Sequence, residues 1–262
     1  MYEIGGATRH DIKTNDVTLS VYEAGDGPAV VLCHGFPELA YSWRHQVPAL
    51  AGAGFRVVVP DQRGYGGSDR PPEISDYDIF HLTDDLAGLL DALGEESAVF
   101  VGHDWGGQVI WQMALLHPER VAGAVGVNTP YFPRFPMRPT EMFRAAGGEN
   151  HYILFFQEPG VADAVLGADV RSVFGRLMRR GIPIAELEAQ QAGPVTDFGE
   201  SGLTAAPTVG DPLLSDEELD VFVRVFEETG FTGGLNWYRN FDRNWEATAD
   251  RGFDGRASTS RA

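Results

Sequence analysis

The sequence predicts an α/β protein built on a doubly wound, mostly parallel sheet, and two patterns carry that expectation. Short continuous apolar runs, of the kind buried on both faces, alternate with helix-length stretches through the first half of the chain. Such alternation places parallel strands side by side with helices packed on the sheet. After Asn128 the texture changes to proline- and aromatic-rich sequence followed only by helical patterns, which reads as a helical lid inserted into the sheet domain.

Val17 to Ala24 alternates like a half-buried strand, and Gly25-Asp26-Gly27-Pro28 turns the chain into Ala29 to Cys33, a continuous apolar strand. Arg56 to Pro60, Ser97 to Val101 and Val121 to Val127 repeat that pattern, separated by helical stretches at Trp43 to Ala53, Ile79 to Leu93 and Gly107 to Leu116. Within the lid, Gln190 to Ser215 is a long Gly/Pro/Ser/Thr loop. Glu217 to Glu228, with Ser215 or Asp216 as cap, and Leu235 to Trp245 read as the last helices. The expected organisation is a sheet domain over 1–128, a helical lid over 129–245 and an irregular tail over 246–262. No internal repeat interrupts it.

At 262 residues, 43% hydrophobic and 22% charged, the chain can bury one sizeable core. No stretch approaches a membrane span, and the polar start, Met1 to Asp16, lacks a signal-peptide core, so a cytoplasmic location is expected. The formal charge of −18 disfavours nucleic acid and anionic membrane surfaces as partners. Cys33 is the sole cysteine, which excludes an internal disulfide and a cysteine-rich metal site. No cofactor or metal is expected, and oligomerisation is left open.

Gly102-His103-Asp104-Trp105-Gly106-Gly107 follows the apolar run Ala98 to Val101 and precedes a helical stretch. It puts an aspartate where the G-x-S-x-G nucleophile elbow of an α/β hydrolase carries serine. Gly102 and Gly106 are the small residues that a sharp strand-to-helix turn needs. A carboxylate at that point attacks carbon, opening an epoxide or displacing a halide to leave an enzyme ester, whereas serine would take an acyl group. His34-Gly35 ends an earlier strand as a tight turn, so the amides of Phe36 and Trp105 can both point at charge near Asp104. His34 reads as a structural histidine of that turn and His103 as one turned away from Asp104.

Four motifs in order, His34-Gly35-Phe36-Pro37-Glu38, Gly102 to Gly107, Phe156-Gln157-Glu158-Pro159-Gly160 and Leu235-Asn236-Trp237-Tyr238-Arg239-Asn240, make the chain resemble the epoxide hydrolases of the α/β-hydrolase fold from Val17 to about Trp245. The resemblance implies Asp104 as nucleophile, the Phe36 and Trp105 N–H groups as oxyanion hole, and His34, Gly35 and Pro37 as its supporting motif. It also implies Tyr152 and Tyr238 as lid phenols that donate to the opening epoxide oxygen. Taken alone, either tyrosine would be read as helix packing. A phenol stays protonated at neutral pH and donates strongly to a developing alkoxide. The implied substrate is a small apolar epoxide and the product a vicinal diol.

The chain departs from the resemblance at its C-terminal end. The family's late histidine and its orienting acid have no counterpart, since His151 is the last histidine and Asn128 occupies the alternative acid position. Asp250 and Asp254 follow no apolar strand, and the tail from Arg251 to Ala262 has the composition of disordered or out-of-frame sequence. The C-terminal strands are therefore expected to be missing, which leaves the alkylation half-reaction equipped and turnover doubtful. Two rival readings are a haloalkane dehalogenase, with the Trp105 indole binding halide, and a non-catalytic lipophile-binding or defective product. Phe36 and the tyrosine pair weigh against the dehalogenase.

Overall fold

The structure, a computed structural model, describes residues 2–181 and 210–249. Six strands form one sheet in the order β1-β2-β4-β3-β5-β6: β1 (Thr8–Thr14), β2 (Val17–Ala24), β3 (Ala29–Cys33), β4 (Arg56–Pro60), β5 (Ala98–His103) and β6 (Val121–Val127). β2 runs antiparallel to β1 and β4, whereas β4, β3, β5 and β6 are parallel. Every residue of β3 is buried, as its uninterrupted apolar run requires with layers on both faces.

β1 is absent from the strands that the sequence pattern predicts. Its residues, TRHDIKT, are mostly exposed, and full register pairing with β2 holds it at the sheet edge. A mostly exposed strand with one neighbour carries no apolar alternation to read, and charge there blunts edge-to-edge association. β6 ends the other side of the sheet among the described residues, with Val125 49% and Val127 40% exposed.

α1 (Gln46–Gly52), α2 (Ile79–Leu93) and α3 (Trp105–Leu116) connect the strands. A 3-10 turn over Ala40–Trp43 precedes α1, so the helical pattern expected from Trp43 to Ala53 resolves into two pieces. α2 begins where the Asp78 carboxylate accepts the His81 N–H at 3.1 Å, and it ends at Gly94 with φ 74°. Its buried Asp85 forms a two-pronged ion pair with Arg63, at 2.7 and 2.6 Å, fixing the loop after β4. In that loop the buried Asp61 accepts the Ala40 and Gly67 amides at 2.9 and 3.1 Å.

The chain divides into two compact units, 1–139 with 240–262, and 140–239. The second contains most of α4 (Pro139–Gly147), then α5 (Tyr152–Phe155), α6 (Val161–Ala168), α7 (Val170–Leu177), α8 (Asp216–Thr229) and α9 (Thr232–Arg239). Its core stacks Phe174, Phe222, Phe226 and Phe231 at centroid spacings from 4.8 to 6.2 Å. α8 starts with a reciprocal cap: Ser215 Oγ accepts the Glu218 N–H at 3.3 Å and the Glu218 carboxylate accepts the Ser215 N–H at 2.8 Å. Most of the expected loop from Gln190 to Ser215 lies outside the described residues.

The single helix expected from Leu235 to Trp245 is two, α9 and α10 (Phe241–Ala247), broken at Asn240. Asn240 is buried and its amide donates to Ile74 O at 2.6 Å. That bond turns the chain back into the first unit and overrides a continuous apolar periodicity. The compact units divide at 139/140 and 239/240.

Candidate active site

β5 delivers the chain to Asp104, which adopts φ 52° and ψ −121° before α3 begins at Trp105. Such a conformation costs a non-glycine residue about 1–3 kcal/mol and persists only where its surroundings enforce it. They do so through close contact. A Cβ on Gly102 would lie 2.2 Å from Gly106 O, and one on Gly106 would lie 2.2 Å from Cys33 O. The Thr129 hydroxyl donates to Asp104 O at 3.0 Å, and the Trp111 indole N–H secures Thr129 O at 2.9 Å.

The carboxylate of Asp104 meets the turn that follows β3. The Phe36 N–H donates to Oδ1 at 2.9 Å, and the Trp105 N–H also bonds the carboxylate. Gly35 permits the approach, since a Cβ there would lie 2.4 Å from the Cβ of Asp104. Pro37 is buried and joined to Phe36 by a cis peptide. Burial pushes the Asp104 carboxyl above its ordinary range, although the two amides pull it the other way.

His34 is fully buried with both ring nitrogens engaged. Nε2 accepts the Gln62 N–H at 3.1 Å, which leaves Nδ1 as the donor to Gly35 O at 3.0 Å. Desolvation holds its pKa below the usual histidine range, so the ring is neutral and serves as a strut between two loops. His103 faces Glu38, Nδ1 to Oε2 at 2.9 Å, and that hydrogen bond raises its pKa. The same Oε2 accepts the Gly35 N–H at 2.9 Å. Glu38 thus ties the turn that carries Phe36 to the elbow that carries Asp104. Glu38 belongs to the turn motif by sequence, and only the fold shows what it holds.

Beside the elbow, the Trp105 ring stacks on Phe241 with centroids 4.8 Å apart. Both line a cavity of about 110 Å³ with Gln108, Phe135 and Trp245. Tyr152 and Tyr238 belong to the second unit, where the structure brings them together: their rings meet edge-on at 6.2 Å. Phe156 packs edge-on against each, at 5.5 Å from Tyr152 and 5.1 Å from Tyr238.

A family model for the alpha/beta hydrolase fold matches residues 28–177. Epoxide hydrolase A of Mycobacterium tuberculosis is 52% identical over 254 residues, covering 94% of this chain and 78% of that protein. The bifunctional epoxide hydrolase 2 of Rattus norvegicus is 43% identical over 88% of this chain, which spans 41% of that protein. The crystal structure of epoxide hydrolase A from Mycobacterium thermoresistibile superposes with a TM-score of 0.83 at 52% identity, over 93% of this chain and 77% of that one. Epoxide hydrolase I of Solanum tuberosum follows at 0.82 and 38%, over 93% and 76%. On the strength of an aspartate elbow, its amide partners and these relatives, the chain belongs to the epoxide hydrolases of the α/β-hydrolase fold.

Proposed function

We propose that Asp104 opens a small, largely apolar epoxide by attacking a ring carbon, forming an aspartyl ester whose hydrolysis yields a vicinal diol. The observation that carries this reading is the Asp104 carboxylate itself, held at a strained elbow with the Phe36 N–H 2.9 Å from Oδ1. Those amides orient the carboxylate for attack and later hold the oxyanion formed when water adds to the ester carbonyl. The phenols of Tyr152 and Tyr238 donate to the oxygen released as the ring opens. Their mutual packing through Phe156 supports a joint role. The wall formed by Trp105 and Phe241 suits an apolar substituent. A cytoplasmic location accords with the free, buried thiol of Cys33.

The relatives named above are epoxide hydrolases, so the dehalogenase reading is not favoured. Stopped-flow tryptophan fluorescence tests the proposal, because Trp105 adjoins the carboxylate that becomes esterified. Mixing with styrene oxide should give a saturable signal change that Asp104→Asn removes. Tyr152→Phe and Tyr238→Phe should each slow it by about 10- to 100-fold, the loss of one hydrogen bond to a developing charge of about 1.5–3 kcal/mol. Unchanged rates in both variants would refute the role given to the phenols.

A further inference from the structure

Arg239 directly follows Tyr238 and its side chain is only 3% exposed, yet it is charged and must be satisfied where it lies. Its guanidinium donates to Asp163 Oδ2 at 2.6 Å, Asn236 Oδ1 at 2.9 Å and Phe156 O at 3.2 Å. Asp163, on α6, also accepts the Thr232 hydroxyl at the start of α9 and the Gly160 N–H at 3.1 Å. One ion pair therefore joins the end of α5, the start of α6 and both ends of α9. The Gln157 amide adds a parallel tie, donating to Ile153 O at 2.8 Å and Tyr238 O at 3.2 Å.

We propose that the Arg239–Asp163 pair is the positioning device that fixes the spacing of the Tyr152 and Tyr238 phenols. The inference rests on the proposed role of those tyrosines as donors to the epoxide oxygen. α5 is a single turn of four residues, too short to hold Tyr152 by its own hydrogen bonds. Phe156, packed edge-on against both phenol rings, has its carbonyl held by Arg239, so the same guanidinium anchors that ring and the end of α9. A planar fork meeting a carboxylate and two further acceptors fixes direction as well as distance. A largely buried pair is weak evidence for stability alone, since well-packed apolar residues can stabilise as well or better. Its specific product here is geometry.

The test is single-turnover alkylation of the full chain by styrene oxide, over a range of epoxide concentrations. Asp163→Asn should lower the saturating rate constant on the order of 10- to 100-fold, the usual effect of misplacing a reacting group, and leave the half-saturating concentration within about twofold. In a Tyr152→Phe/Tyr238→Phe background the same substitution should change the rate by less than about twofold, because nothing remains to position. If Asp163→Asn fails to fold by circular dichroism, Arg239→Lys, which keeps the charge and loses the fork, carries the same expectations. Unchanged rates in the folded variant, or an equal loss in the background without phenols, would overturn the proposal. If the tyrosine substitutions themselves have no effect, the donor role fails first, which separates the two failures.

Discussion

Asp104 combines a backbone conformation unfavourable for a non-glycine residue with a carboxylate that burial holds above its ordinary pKa. Because the folded pKa exceeds the unfolded one, ionisation weakens the fold, and the penalty disappears as pH falls below both values. Asp104→Asn should therefore raise the thermal midpoint by a few degrees at pH 7, roughly the shift that about 1 kcal/mol produces, while abolishing reaction with epoxide. The advantage should vanish below about pH 3.8, the carboxyl's ordinary value. A midpoint that falls at pH 7 would contradict the assigned cause.

The Glu38–His103 pair gives a second pH signature. Burial alone would raise Glu38, but His103 and the Gly35 amide bring it below its ordinary 4.5, while the Glu38 hydrogen bond lifts His103 above 6.5. A lowered carboxyl stabilises above its unfolded value and a raised histidine stabilises below its own. The pair should contribute fully between about pH 4.5 and 6.5. The contribution should fade as pH rises through the folded His103 value or falls through that of Glu38. Urea titrations of Glu38→Gln and the parent should differ most inside that window. Asp104 and its glycines were legible as a contiguous motif, whereas the partner of Glu38 lies 65 residues away and only the fold introduces them.

Among the elements, α8 offers a clean local test: the sequence leaves Ser215 or Asp216 as its cap, and the structure puts Ser215 there in a reciprocal pair with Glu218. Ser215→Ala should cost about 1 kcal/mol, read as a lower urea midpoint with unchanged slope. β1 and the break at Asn240 were not readable, for opposite reasons. β1 has no apolar periodicity because only its last residue, Thr14, is buried, and the helix break hides within intact periodicity because one buried amide decides it. β6 was readable as a strand, VAGAVGV, and its lack of charge has a consequence. With Val125 and Val127 exposed at the sheet edge, the protein should bind a hydrophobic dye and scatter light increasingly with concentration. Val125→Lys should reduce both, and equal behaviour of the two proteins would show that the edge is not the cause.

At the scale of the whole molecule, one compact unit holds the carboxylate with its amides and the other holds both phenols. The alternation of strands and helices and the elbow followed from patterns that local sequence expresses, while the limits of the compact units follow from packing that it does not. Ester release needs an activated water. His34 has both ring nitrogens occupied and His103 is bound to Glu38, so neither is free to activate it. The aspartyl ester is therefore the species whose capture on Asp104 tests the reading. Peptide mass spectrometry after incubating the 262-residue chain with styrene oxide tests this most directly. The predicted result is the mass of one substrate on the peptide containing Asp104 and no adduct in Asp104→Asn. A folded chain that gains no mass at Asp104, or an adduct that persists in Asp104→Asn, would contradict it.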